Sequence, residues 1–139
     1  MIRLKMLLVC LILCCKAYST HVKNWDPVIN AIIQVESEGN PKAVGGNSAG
    51  ILQITPILVK QCNIILKTKK SSKRYTMNDR FSVAKSKEMF ILIQEYYNKE
   101  RNLEKAIRLW NGGPGYTIKG TQKYLNKVMR CYNKEINKN

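Results

Sequence analysis

The sequence predicts an all-α fold, and three observations support that prediction. Apolar residues recur with helical spacing in five separate stretches of the 139-residue chain. Residue types that begin helices stand at the start of these stretches, and glycine or proline follows several of them. No stretch of useful length alternates apolar and polar residues as a half-buried strand would. The length and the absence of internal repeats indicate a single helical domain.

The first predicted helix begins at Asp26 and Pro27, with the aspartate as N-cap and the proline at the first helical position. It ends near Gly39, because Asn40 and Pro41 do not allow the helix to continue. Its apolar stripe comprises Val28, Ile29, Ile32, Ile33 and Val35. This stripe is expected to face the core.

The second predicted helix starts at residues 55–56, where Thr-Pro repeats the same start signature. Its stripe comprises Leu58, Cys62, Ile65 and Leu66. The basic segment 67–74 follows, either as a plain exposed connector or as a contact for a polyanion. The third and longest predicted helix spans residues 79–98, with Thr76 or Asn78 as its cap.

The fourth predicted helix opens at Asn102 and ends at Trp110, because the sequence Asn-Gly-Gly-Pro-Gly at residues 111–115 favours a loop. A final helix begins near Thr121. Its apolar face comprises Tyr124, Leu125, Val128 and Tyr132.

Glu36 lies at the end of the first predicted helix, in an unusual position for a carboxylate. At roughly 100° per residue, Glu36 falls about 30° from the middle of the apolar stripe and Glu38 about 130° away. Burial and the negative end of the helix dipole would both raise the pKa of a carboxyl group there. A glutamic acid that keeps its proton near neutral pH is suited to general acid catalysis. The alternative is an ordinary exposed glutamate in a frayed last turn.

Residues 1–19 have the features of a secretory signal peptide: a basic start, an apolar run from Met6 to Cys15 and a final small-x-small site. The run is too short for a permanent membrane anchor. An alternative is lipid attachment at Cys14 or Cys15. We therefore expect an exported protein, periplasmic or extracellular, whose mature domain spans residues 20–139.

Without residues 1–19 the chain has 21 Lys and Arg against 9 Asp and Glu, a net charge of +12. Such a surface attracts polyanions, and export favours a cell wall or an anionic membrane over nucleic acid. Two cysteines remain, Cys62 and Cys131. They either form a disulfide that closes a long loop, which we favour, or stay free thiols. The sequence shows no ligand spacing for a metal, so we expect no metal and no cofactor.

Several kinds of catalytic site are excluded. A nucleophilic triad lacks its base, because the only histidine is His21, beside the cleavage site, where chain ends are usually disordered. Residues 112–115 lack the lysine of a phosphate loop. A paired-carboxylate site needs a second acid, but Glu38 points away and Asp79 belongs to a helix start. The sequence thus indicates one catalytic acid, Glu36, without a partner.

Three short motifs follow one another along the mature chain. The first combines Glu-Ser at 36–37, Asn-Pro-Lys-Ala-Val at 40–44 and Ser-x-Gly-x-x-Gln-Ile-Thr-Pro at 48–56. The second is Trp-Asn-Gly-Gly-Pro-Gly at 110–115, and the third is Thr-x-x-Tyr-x-x-x-Val at 121–128. In this order they resemble the soluble lytic transglycosylase family.

The resemblance implies a compact lysozyme-like helical domain with a substrate cleft. It implies cleavage of the β-1,4 bond between N-acetylmuramic acid and N-acetylglucosamine in peptidoglycan, with a 1,6-anhydromuramic product. We also expect the protein to be a monomer. By this likeness Glu36 is the catalytic acid, and the Tyr124 hydroxyl orients it. Five residues match positions that bind substrate or lie near the acid: Ser48, Gly50, Gln53, Asn111 and Tyr124.

The sequence departs from the family pattern at two positions: Trp110 replaces a tyrosine and Gly112 replaces an alanine. The interval between Glu36 and Gln53 is also about one residue shorter than usual. Two other functions remain open: a goose-type lysozyme-like hydrolase of the same bond, and a non-catalytic basic module that binds cell wall. Taken singly, Gln53 is typical of a surface polar residue. Asn111 is typical of a residue at the end of a helix, and Tyr124 of a core aromatic residue whose hydroxyl lies at the rim.

Overall fold

The structure is a computed structural model that describes residues 20–138. The α-helices in this range are α1 (Asp26–Ser37), α2 (Pro56–Thr68), α3 (Val83–Tyr97), α4 (Leu103–Gly112) and α5 (Ile118–Ile136). Strand β1 (Val44–Gly45) pairs antiparallel with β2 (Ser48–Ala49), and a 3-10 helix spans Met77–Phe81. The all-α prediction is confirmed. The predicted signal peptide, with its three cysteines, lies outside the described residues.

The start of α1 differs from the prediction. Asp26 is the first helical residue, and Trp25 occupies the N-cap position without a capping hydrogen bond. The Asp26 N–H instead donates to the side-chain oxygen of Asn24, 3.0 Å away. At the other end Glu38 takes the left-handed conformation, with a φ of 51°. Gly39 follows the C-cap residue with a φ of 84°, so the helix ends close to the predicted glycine.

Two predicted N-caps are confirmed. The Thr55 side chain accepts a hydrogen bond from the Leu58 N–H at 3.2 Å, at the start of α2. The Asn102 side chain accepts one from the Lys105 N–H at 2.8 Å, at the start of α4. Both residues satisfy donors that the first helical turn leaves without a backbone partner.

The prediction of one continuous third helix is wrong, because the structure has a 3-10 helix followed by α3 in this part of the chain. Thr76 and Asp79 form a capping box that starts the 3-10 helix. Ser82 then leaves the helical conformation and its side chain accepts from the Lys85 N–H, which starts α3 afresh. The chain therefore bends where the periodicity predicts a straight helix.

The longest helix is α5, with 19 residues against 15 in α3, and not the third helix as predicted. It begins at Ile118, three residues before the predicted start, because the Thr117 side chain accepts from the Gly120 N–H at 3.0 Å. Helix α4 likewise runs two residues beyond Trp110. It stops where Gly113 adopts a φ of 72°.

The helices enclose one apolar core. Helix α1 packs chiefly against α5, α5 also packs against α4, and α2 packs against α3. The Phe90 ring lies at the centre, with its centroid 5.8 Å from that of Trp25 and 5.1 Å from that of Trp110. Fully buried residues around it include Val28, Ile29, Ile32, Leu52, Ile54, Ile65 and Ile107. Each buried side chain of this size contributes about 1.5–3 kcal/mol.

The segment around His21 is held in place, contrary to the expected disorder. His21 forms a bridge with Asn102, and the Val22 N–H donates to the Arg101 carbonyl at 2.8 Å. The His21 ring also hydrogen-bonds the Glu100 carbonyl at 3.1 Å. This segment is thus fastened to the connection between α3 and α4 by an isolated bridge and these hydrogen bonds.

The favoured disulfide is wrong, because Cys62 and Cys131 are both free thiols. Cys62 is buried on α2, and burial raises its pKa to about 12. Cys131 is half-buried on α5, the helix that packs against α1 and α4. Within residues 20–138 no helix combines the length and apolar character needed to cross a membrane. The same range contains no cluster of three or more His, Cys, Asp or Glu that could hold a metal ion.

Candidate active site

Glu36 lies in the last turn of α1, and its environment follows from how that turn is anchored. The neighbouring Ser37 hydroxyl donates to the Ile51 carbonyl at 2.7 Å, which ties the end of α1 to the segment after β2. Glu36 is half-buried, whereas Glu38 is exposed, as the helical periodicity predicts. The Glu36 side chain therefore faces inward from a fixed helix end.

Among the described residues, the side-chain partner of the Glu36 carboxyl group is the phenol of Tyr124 on α5. The Tyr124 hydroxyl donates to Glu36 Oε1 at 2.6 Å. Burial raises the pKa of Glu36, and the Tyr124 hydrogen bond partly opposes this. Burial, with the nearby Glu36 charge, raises the pKa of Tyr124 well above its usual value. The phenol thus remains a donor, while Glu36 keeps its proton to a higher pH than an exposed glutamate.

A cleft of about 350 Å³ opens beside Glu36. Ser48, Gln53 and Asn111 line it together with Glu36, so four of the six predicted site residues meet at one cavity. Tyr124 reaches Glu36 from α5 but is not part of the cleft lining. The remaining walls come mainly from α2, α3 and α4: Leu58, Gln61, Ile93, Tyr97, Leu109 and Trp110.

Gln53 is held in a strained backbone conformation at the cleft wall. Its φ is 49°, in the left-handed region that side chains other than glycine seldom adopt. Its amide nitrogen donates to the Ala43 carbonyl at 3.1 Å and to the Gly50 carbonyl at 2.9 Å. Since both amide hydrogens are occupied, the side-chain oxygen is the atom left to accept a hydrogen bond from a ligand.

Gly50 does not line the cleft, although the resemblance places it in the loop that a glycan approaches. Its φ is +81°, and a Cβ atom built there would lie 1.7 Å from the Arg80 carbonyl oxygen. Its N–H donates to the Ala43 carbonyl at 2.8 Å. The glycine is therefore required because the turn after β2 touches the 3-10 helix, and it acts on the cleft through Gln53.

The end of α4 forms another part of the wall. Asn111 is exposed and lies within the last turn of the helix, not in the loop after it as predicted. Trp110 beside it is buried against Phe90. At Gly112 a Cβ atom would lie 2.7 Å from the Cβ of Tyr116. Close packing of this turn accounts for glycine at position 112, where the resemblance leads us to expect alanine.

Arg108, which the sequence analysis does not single out, fixes the helix that carries Tyr124. Its buried guanidinium donates to the Ile118 carbonyl and to the Thr121 hydroxyl, each at 2.9 Å. It also pairs with Glu104 at 2.7 Å. These bonds fasten α4 to the first turn of α5. The position of Tyr124, one turn further along, depends on this link.

Gln61 and Tyr97 are two further cleft residues that the sequence analysis misses. The Gln61 amide donates to the Tyr97 hydroxyl at 2.5 Å, across α2 and α3. Because this hydroxyl accepts from Gln61, its own hydrogen can be donated to a ligand in the cleft. The only signal in the sequence is that each polar residue stands beside an apolar stripe, which is too common to identify a site.

Comparison with known proteins agrees with this geometry. A family model described as the transglycosylase SLT domain matches residues 14–127, a range that contains the whole cleft and Tyr124. No solved structure matches the chain significantly. The family acts on peptidoglycan, which lies in the periplasm or outside the cell, so the protein is a transglycosylase for this polymer at that location. The chain belongs to the transglycosylase SLT family.

Proposed function

We propose that the protein cleaves the β-1,4 bond between N-acetylmuramic acid and N-acetylglucosamine, with Glu36 as both acid and base. The observation that carries this proposal is the Glu36–Tyr124 pair at the cleft wall, with an inward-facing carboxyl group of raised pKa. Glu36 is the only carboxylate that lines the cleft within the described residues. A mechanism with a second catalytic carboxylate therefore lacks its second group.

In the first step, protonated Glu36 gives its proton to the glycosidic oxygen. The bond from this oxygen to C1 of the muramic sugar breaks, and positive charge develops on the sugar ring. The acetamido group of the same sugar stabilises that charge in place of a second carboxylate. Tyr124 donates to the carboxylate that forms, which lowers the cost of an ionised group in a half-buried site.

In the second step, ionised Glu36 takes the proton from the 6-hydroxyl of the muramic sugar. The freed oxygen attacks C1 and closes the 1,6-anhydro ring, so no water is consumed. Glu36 is protonated again and ready for another cycle. Acid and base are thus one residue acting in turn.

The other predicted residues would bind and orient the glycan. Gln53 offers its amide oxygen to a sugar hydroxyl or acetamido N–H, and Ser48 and Asn111 offer polar groups from two other walls of the cleft. We further propose that residues 1–19 direct export and that residues 20–139 act as a monomeric domain. Contacts of its basic surface with anionic wall polymers or membrane would add to glycan binding.

The product distinguishes this reaction from hydrolysis. Digestion of purified peptidoglycan is expected to give muropeptides with an anhydro end, each lighter by one water than the corresponding hydrolysis product. Mass spectrometry of the released fragments measures this difference directly. Reducing ends alone would replace the proposal with a goose-type lysozyme-like hydrolase. Binding without any released fragment would indicate a wall-binding module.

Tyr124→Phe tests how the phenol acts on Glu36. Removing the hydrogen bond removes the interaction that lowers the Glu36 pKa, so this pKa should rise further. Because the first step needs protonated Glu36, activity falls as pH rises through that pKa. The alkaline limb of the pH–rate profile should therefore shift to higher pH, and the maximal rate should fall about tenfold.

Tyr132→Phe is the matched control, since it removes a phenol hydroxyl from the same helix without a contact to Glu36. It should leave the pH–rate profile unchanged. An unshifted profile for Tyr124→Phe would show that Tyr124 does not control the protonation of Glu36.

A further inference from the structure

A second groove lies on the outer side of α2, with a volume of about 620 Å³. Four of its residues occupy one face of α2, at helical spacing: Ile57, Lys60, Ile64 and Lys67. Ile57 is 75% exposed and Ile64 is 49% exposed, so the core does not use either side chain. We call this the α2 groove. Its floor is apolar and open to solvent.

The opposite wall of the α2 groove is held in place by specific hydrogen bonds. The Asn63 amide donates to the Tyr75 carbonyl at 2.9 Å and accepts from the Tyr75 N–H at 2.8 Å. The Arg74 guanidinium donates to the Ser71 carbonyl at 2.7 Å. The segment that follows α2 is thus fastened to the helix, and the groove has a defined shape.

The charge of the α2 groove has one sign. Lys60, Lys67 and Arg74 line it, and no Asp or Glu does within the described residues. Lys60 and Lys67 form no ion pair among residues 20–138, and they stand about 10 Å apart along the helix at 1.5 Å per residue. Spaced cations above an apolar floor suit an extended ligand with separate carboxylates and small apolar side chains.

The α2 groove is continuous with the candidate cleft, because Ile57 lines both cavities. A glycan strand in the cleft carries a short peptide on each muramic sugar, and those peptides bear free carboxylates. We propose that the α2 groove binds the peptide stem of a muramic residue of the bound strand, with Lys60 and Lys67 contacting its carboxylates. This inference rests on the proposed glycan cleft and adds a determinant for peptide-bearing over bare glycan.

The test compares intact peptidoglycan with glycan stripped of its peptides by an amidase. Co-sedimentation uses the Glu36→Gln chain as background, so that binding is measured without cleavage. The double variant Lys60→Glu/Lys67→Glu should bind intact peptidoglycan about five- to tenfold more weakly, from two lost charge contacts. Its affinity for stripped glycan should be unchanged. The difference in affinity for intact peptidoglycan between the parent and the double variant should shrink as the salt concentration is raised.

The control is Lys127→Glu/Lys134→Glu, which makes the same change in net charge at two exposed positions of α5. It should bind both substrates like its parent. The inference would be overturned if the groove variant lost equal affinity for intact and stripped glycan. It would also be overturned if both double variants lost equal affinity for intact peptidoglycan. Since no turnover is needed, the binding result stands apart from the product masses that test the proposed reaction. Thermal melting of every variant checks that the fold is retained.

Discussion

Glu36→Gln is expected to reduce the release of peptidoglycan fragments by at least about a thousandfold. A general acid or base typically contributes 10²- to 10⁴-fold, and here the same group serves both steps. Glutamine has nearly the same shape and can still accept the hydrogen bond from the Tyr124 hydroxyl. The measurement is the initial rate of soluble muropeptide release from purified cell wall, at enzyme concentrations high enough to detect the residual rate.

Glu38→Gln is the matched control, because it removes the same charge two residues further along, where the side chain is exposed. Its activity should stay within about twofold of the parent, as for a surface substitution away from the site. A Glu36→Gln enzyme within about tenfold of the parent would be incompatible with Glu36 as the general acid.

Glu36→Gln should not reduce the stability of the fold. Burial raises the pKa of Glu36, so the folded state disfavours its ionised form. The resulting loss in the free energy of unfolding is absent below the pKa that Glu36 has in the unfolded chain. It is complete above the raised pKa that Glu36 has in the folded protein. Glu36→Gln should therefore unfold at an equal or higher temperature near neutral pH, with the smallest gain in acid. A loss of activity through misfolding would show the opposite trend.

The helices were largely predictable because they are encoded locally. Thr55 and Asn102 cap the first turns that follow them, and the apolar periodicity of α2 and α4 largely matches their buried faces. The errors arise where two local signals compete. Ser82 and the capping box of Thr76 each start a helix within the stretch that periodicity alone treats as one.

The site was predictable in part for the same reason. Glu36 could be placed near the buried face from its angle to the apolar stripe. Its contact with Tyr124 spans 88 residues and depends on how α1 packs against α5, so the sequence suggested it only through the family resemblance. The pair of Gln61 and Tyr97 likewise depends on two helices meeting, and neither residue forms part of a recognisable motif.

Gly50→Ala is expected to be the most destabilising single-methyl change in the hairpin, with a loss of about 3–5 kcal/mol in the free energy of unfolding. The φ of +81° is unfavourable for alanine, and the new Cβ would lie 1.7 Å from the Arg80 carbonyl oxygen and 2.7 Å from its carbon. Because the clashing atoms belong to the Arg80 backbone, the hairpin and the 3-10 helix must move apart to make room for the new methyl group. Activity should fall as well, since the Gly50 carbonyl accepts a hydrogen bond from Gln53.

Gly39→Ala separates the two causes of this loss. Gly39 has nearly the same φ, +84°, but no atom beyond its two chain neighbours lies within 4 Å of a Cβ built there. It should lose only about 1–2 kcal/mol, the cost of the left-handed backbone alone. Urea unfolding of both variants measures the difference, which reports the contact between the turn after β2 and the 3-10 helix. Equal losses in the free energy of unfolding at the two positions would mean that the backbone at this contact shifts at little cost. The position of Gln53 would then not depend on the contact.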